Sequence, residues 1–306
     1  MALSLKWRPS RINLSWLKPP KPASPDGSMT LFEHLAELRY RLVICVLAIL
    51  ATSIVAFIFN ERLIELIVRP YKTAIAGLQA ERPDIHAELV LSGVTQPFTM
   101  SLAVSGLAGL IVSSPIWLYQ VWAFIVPGLL AKEKKWTLIV VGAAVPLFCL
   151  GIGLGYFIMP QAIKILIGFT PEGAGIANLQ SLQEFLGFMI RLMVIFGLAF
   201  EVPLFIVMLN VVGVLPAKMI SKYRSYIIFA MFVFAAIATP TPDAFTMLLL
   251  ALPMTVLVIV SELIAYALDR RRSRIAGEDL VKHSVQDDAA LQQLEAEGTD
   301  TPDDQK

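Results

Sequence analysis

Six long apolar stretches dominate this chain: Val43 to Phe59, Phe98 to Leu118, Trp136 to Pro160, Phe185 to Val212, Tyr226 to Ala238 and Ala244 to Leu263. A helix of roughly 20 apolar residues matches a hydrocarbon layer about 30 Å thick. In lipid every backbone amide must be satisfied within its own segment, which leaves helices as the way to bury such stretches. The composition agrees, with 57% hydrophobic and only 16% charged residues, where roughly 25% charged is usual for soluble domains. The sequence therefore predicts an all-α integral membrane protein of six transmembrane helices. The fifth stretch falls short of a full crossing, and with the sixth it forms a short hairpin that would thin the bilayer locally.

Charge placement predicts the orientation. Lysine and arginine cluster beside Arg39 and Arg41, at Lys132, Lys134 and Lys135, at Lys218, Lys222 and Arg224, and at Arg270, Arg271, Arg272 and Arg274. Cytoplasmic flanks keep excess positive charge, so six spans place both termini inside. The first loop, Asn60 to Gln96, runs against this pattern with Arg62, Arg69, Lys72 and Arg82. Net charge is only +1, which supplies no global basic field for nucleic acid. Residues 1–28 read as a basic, proline-rich mobile arm, 29–272 as the membrane domain, and 273–306 as an acidic disordered tail whose composition cannot bury a core. Cys45 and Cys149 lie inside apolar stretches and suggest neither a disulfide framework nor a metal cluster.

The polar residues left in this apolar chain carry its chemistry. In Leu31 to Leu42, helical periodicity puts Leu31, Leu35, Leu38 and Leu42 on one face and sets Glu37 four residues before Arg41. Glu133 stands among lysines in the second basic loop. A carboxylate accepts a guanidinium as a planar fork that lysine cannot copy, so separated glutamates could select a ligand with adjacent arginines. Glu201 lies deep in the fourth stretch, where an acid needs a partner or a proton, and Pro203 must disturb the helix beside it. Pro115, Pro146, Pro160 and Pro253 predict curved helices around a concave face. Gly151, Gly153 and Gly155 predict close helix packing. No phosphate-binding loop, HExxH, CxxC or nucleophile elbow occurs. The expectation is a non-enzyme without cofactor or metal, drawing energy from the membrane potential, a proton gradient or another subunit.

Four motifs then resemble the TatC family, the multispanning receptor of the twin-arginine protein translocase, over about Met29 to Arg272. They are the run Phe32 to Leu42, the run Ser114 to Pro127, Ala199-Phe-Glu-Val-Pro-Leu204, and Thr239-Pro-Thr-Pro-Asp243. The resemblance implies a receptor in the cell inner membrane for Arg-Arg signal peptides, which bind at Glu37 and Glu133 with Phe124 and Arg39 in the same surface. It implies contacts to single-span partners of the TatA and TatB kind at Glu201, Pro203, Thr239 and Asp243, a structural Pro70, several copies in the working complex, and export driven by the proton-motive force. Met247 departs from a family pattern that can carry a polar residue about one turn after the aspartate, though Thr246 is adjacent. A rival reading is a proton-coupled transporter of small solutes with Glu201 as proton carrier.

Overall fold

The computed structural model describes residues 31–83, 87–125, 134–169, 178–238 and 244–298. Its elements are α1 (Leu31–Phe57), α2 (Asn60–Glu81), β1 (Ala87–Val90), α3 (Gln96–Val112), α4 (Ser114–Ile125), α5 (Lys134–Gly168), β2 (Asn178–Ser181), α6 (Leu182–Ala199), α7 (Glu201–Val212), α8 (Ala217–Lys222), α9 (Arg224–Ala238) and α10 (Ala244–Gly298). Among the described residues, four stretches of helix are long and apolar enough to cross a membrane: α1, Ile139–Gly168 of α5, α6 with α7 (Leu182–Val212), and Ala244–Arg274 of α10. The pair α3 and α4 qualifies jointly but is bent by 62°, and α9 is shorter.

That bend falls inside the second apolar stretch, Phe98 to Leu118, beside the Pro115 expected to curve it, and it has a local cause. Pro115 cannot donate to the carbonyl four residues back, so the ladder breaks at Ser113. Side chains then satisfy the carbonyls at the end of α3: the Ser113 hydroxyl donates to Gly109 at 2.6 Å and the Trp117 indole to Leu110 at 2.9 Å. The fourth span is interrupted in the same way at Phe200, three residues before Pro203.

The chain divides into two compact units, one of residues up to 201 with 234–251, the other of 202–233 with the chain from 252 onward. In the first, α1 packs along α3 and α4, and α5 packs along α6 and α2. Phe148, Met159, Leu186, Met189, Leu192 and Phe196 are fully buried, and Trp117 meets Phe148 edge-on at 5.0 Å. Gly151 and Gly155 bring α5 against the backbone of α6, whereas Gly153 faces open space.

The first loop proves to be structured. Ile67, Pro70, Tyr71, Ala74, Ile75 and Leu78 form the buried stripe of α2, and Arg62, Arg69 and Lys72 sit on its exposed face. Tyr156 donates to the Leu66 carbonyl at 2.9 Å, and Lys164 pairs with Glu81 at 2.5 Å, fixing α2 to α5. β1 and β2 pair in parallel from Ala87↔Asn178 to Val90↔Ser181, a small ribbon in an otherwise helical fold.

The second unit has its own core of Ile206, Ala217, Ile220, Val258 and Ala265. Gly213, at φ 89, turns the chain between α7 and α8, a conformation that glycine adopts without strain. Asp269 holds this turn, accepting from the Ala217 amide at 2.8 Å and the Asn210 side chain at 3.1 Å. Arg272 donates to the carbonyls of Asn210 and Val211. Glu262, almost fully buried, takes both donors of the Arg224 fork, at 2.8 and 2.5 Å. Both groups facing Asp269 are donors, and an amide would offer them one acceptor oxygen instead of two. Asp269→Asn is therefore expected to cost about 1–2 kcal/mol, read as a lower melting temperature in detergent, with Glu262→Gln measured in parallel.

α10 runs on past residue 273, through the acidic segment, to Gly298. The segment lacks apolar residues for a core, but its alanine, leucine, glutamate, glutamine and arginine favour helix without one.

Candidate functional site

The site begins at the α1–α4 tip. Read in water, the leucine face of α1 should turn inward, and the structure shows the reverse. Leu31, Leu35 and Leu42 are 75%, 54% and 59% exposed, while Glu37 is 6% exposed. A helix solvated by lipid has reason to send its apolar side out and its polar side against the protein. Arg41 makes that polar side a junction. Its Nε and Nη2 donate to Glu37 Oε1 at 2.9 and 2.5 Å, and its Nη1 donates to Gln120 Oε1 of α4 at 3.1 Å.

One turn along, the His34 ring stacks on Phe124 of α4, with centroids 4.4 Å apart and planes 13° apart. His34 Nδ1 stands 3.9 Å from Glu37 Oε2. That second oxygen is covered and accepts no hydrogen bond among the described residues. His34, Glu37 and Arg41 repeat at i, i+3, i+7 on α1 and meet Gln120 and Phe124 at i, i+4 on α4, which is how two short motifs far apart in sequence form one surface. Arg39 is exposed on α1. The tip thus presents a carboxylate already shown to take a guanidinium fork, flanked by an aromatic stack.

A second polar node lies within the span region. Glu201 starts α7, half-buried, with both carboxylate oxygens covered, and the Trp122 indole of α4 is the polar group that approaches them. Pro203 is buried, and its carbonyl accepts from Ser261 at 2.9 Å. Pro70 is buried inside α2. Thr246 is fully buried, so the hydroxyl beside Met247 is turned into the chain. Glu133, Thr239 and Asp243 lie outside the described residues, as does the arm at 1–28.

Sequence reasoning passed over three groups. Gln120 and His34 sat inside the motifs but carried no assigned role. Arg191 is the one charge between Phe185 and Ala199 of α6, a lone cation in an apolar helix that deserved the scrutiny given to Glu201.

Comparison with known proteins adds to this geometry. Residues 33–253 match the family described as Sec-independent protein translocase protein (TatC). The Sec-independent protein translocase protein TatC of Frankia casuarinae is 38% identical over 252 residues, 81% of this chain and 69% of that protein. The TatC protein of Xylanimonas cellulosilytica is 38% identical over 275 residues, 86% of this chain and 97% of that one. A crystal structure of the twin-arginine translocase receptor TatC shares the fold with a TM-score of 0.62 at 33% identity, over 76% of this chain and 99% of the other.

Proposed function

The chain belongs to the TatC family of Sec-independent protein translocase proteins, and from that premise we propose that it is the receptor and core subunit of its twin-arginine translocase. Membership makes it a multi-pass membrane component of a protein translocase and not an enzyme. The proposal adds six spans with both termini in the cytoplasm of the inner membrane, capture of Arg-Arg signal peptides at Glu37 and Glu133 beside Phe124 and Arg39, and energy from the proton-motive force. It also assigns Glu201, Pro203, Thr239 and Asp243 to contacts with TatA- and TatB-type subunits, in a complex of several copies.

The observation that carries the reading is the fork of Arg41 on Glu37 Oε1. An incoming arginine would meet a carboxylate whose surroundings suit a planar guanidinium, and would either displace Arg41 or reach Oε2 past the His34–Phe124 stack. Family membership favours protein export over the small-solute transporter that the sequence alone left open.

Orientation supplies the test. With a photo-cross-linking residue in place of Phe124, inverted membrane vesicles, which expose the cytoplasmic face, are expected to capture an added Arg-Arg peptide and to capture its Lys-Lys counterpart several-fold less. Capture confined to right-side-out vesicles, or equal for the two peptides, would refute the assignment.

A further inference from the structure

Within the second unit, Lys218 of α8 and Arg270 and Arg272 of α10 line one cavity of about 600 Å³ beside the turn that joins α7 to α8. Asp269 is the acid in that lining, and both its oxygens are engaged, Oδ1 by the Asn210 side chain and Oδ2 by the Ala217 amide. Arg272 is held by the carbonyls of Asn210 and Val211, neutral acceptors that leave its charge uncompensated. Lys218 and Arg270 are exposed, and among the described residues neither forms an ion pair. Three cations therefore face one carboxylate that is already occupied. The cavity suits an anion and has little to offer an ammonium.

The outer face of α10 says where the anion comes from. Leu252, Val256, Ile259, Leu263 and Tyr266 are all exposed. Alternating steps of four and three residues put them on one side of the helix, and a further step of four reaches Arg270. From Leu252 to Leu263 this side rises about 16 Å, the depth of one leaflet in a hydrocarbon layer about 30 Å thick. Tyr266 comes next, an amphipathic ring of the kind that settles at headgroup level. Arg270 stands about 10 Å beyond Leu263, past the end of the apolar stretch Ala244 to Leu263.

Hydrocarbon, interfacial ring and guanidinium thus follow one another outward along a single face, which is the order of acyl chain, ester region and phosphate in a phospholipid. We propose that Lys218 and Arg270 hold the phosphate of one anionic phospholipid, its acyl chains along the Leu252 to Leu263 face of α10 and its headgroup in the cavity beside Arg272.

Charge selects the headgroup. Phosphatidylethanolamine and phosphatidylcholine also carry a phosphate, but their cationic ends would meet three cations and an engaged carboxylate. Phosphatidylglycerol keeps its negative charge and ends in hydroxyls. The site uses no residue of the α1–α4 tip and holds whichever face of the membrane is cytoplasmic, so it stands or falls separately from signal-peptide capture.

The test uses the full chain purified in detergent and equilibrated with equal amounts of phosphatidylglycerol, phosphatidylethanolamine and phosphatidylcholine, with retained lipid counted by native mass spectrometry. Phosphatidylglycerol is expected to exceed each of the others by roughly tenfold, the worth of one charge-assisted contact. Arg270→Gln should remove most of that excess, Arg270→Lys should keep part of it, and Arg270→Gln with Lys218→Gln should abolish it. Arg271→Gln removes a neighbouring exposed cation that does not line the cavity, and it should leave the excess intact. Glycerophosphoglycerol, the same headgroup without acyl chains, and inorganic phosphate should displace none of the retained lipid at equal concentration. Melting temperatures of the same samples separate lost binding from lost fold. Lipids retained in the proportions supplied, or undiminished retention by the folded double variant, would overturn the assignment. Equal losses in Arg270→Gln and Arg271→Gln would overturn it too, as the mark of diffuse attraction to any basic flank. Displacement by the chainless headgroup or by phosphate would show a free-anion site in place of a lipid site.

Discussion

Valine in place of Gly151 is expected to lower the melting temperature of the purified protein by about 6–12 °C, the equivalent of about 3 kcal/mol in a chain of this size. The reason is backbone contact. A Cβ added at Gly151 would lie 2.4 Å from the Phe196 carbonyl oxygen and 2.9 Å from the Gly197 α-carbon, neither of which can rotate away. Gly197 returns the contact, since a Cβ there would meet Phe148 at 2.8 Å and Ile152 at 2.9 Å. The seam between α5 and α6 is thus a pair of interlocked notches, and it positions the α6 segment that ends beside Glu201. Gly153→Val is the internal control, because nothing lies within 4 Å of that position and no comparable loss should follow. Equal melting of the two variants would show that the seam is not built this way.

Much of this architecture was legible because lipid imposes a simple rule: long apolar segments become helices. The glycine spacing in α5, the disturbance at Pro203 and the break after α3 near Pro115 all announced themselves as departures from that rule. What stayed hidden depended on partners distant in sequence. The i, i+4 pair of Glu37 and Arg41 could be read directly, but its tie to α4 runs through Gln120, 79 residues away from Arg41. The leucine face of α1 could be drawn from the sequence but its direction could not, since periodicity identifies a face without saying which solvent it meets. In the first loop, the recurrence of Ile67, Tyr71, Ala74 and Leu78 marked a helix that the surrounding charges concealed. Four-residue strands such as β1 and β2 carry too little pattern to register at all. At the site, Glu37 and Phe124 prove to stand on neighbouring surfaces of α1 and α4, with His34 between them.

Glutamine in place of Glu37 is expected to weaken capture of an Arg-Arg peptide by roughly tenfold, since one charge-assisted fork contact is worth about 1.5–3 kcal/mol. If Glu133 takes the second guanidinium, the double variant Glu37→Gln with Glu133→Gln should lose roughly a hundredfold, because two separated contacts add. Photo-cross-linking yield against peptide concentration measures both. Arg41 sharpens the prediction, because it already occupies Oε1 with two donors and so competes with any arriving arginine. Arg41→Gln removes that internal occupant while leaving the carboxylate beside Gln120 and the His34–Phe124 stack. A receptor carboxylate should then bind the peptide more tightly than before, provided the melting temperature shows that the tip remains folded. A carboxylate present only to fasten α1 to α4 gives the opposite result, with Arg41→Gln and Glu37→Gln damaging stability alike and peptide capture following stability. Capture that is unchanged in the glutamate double variant would end the assignment of this surface to signal peptides.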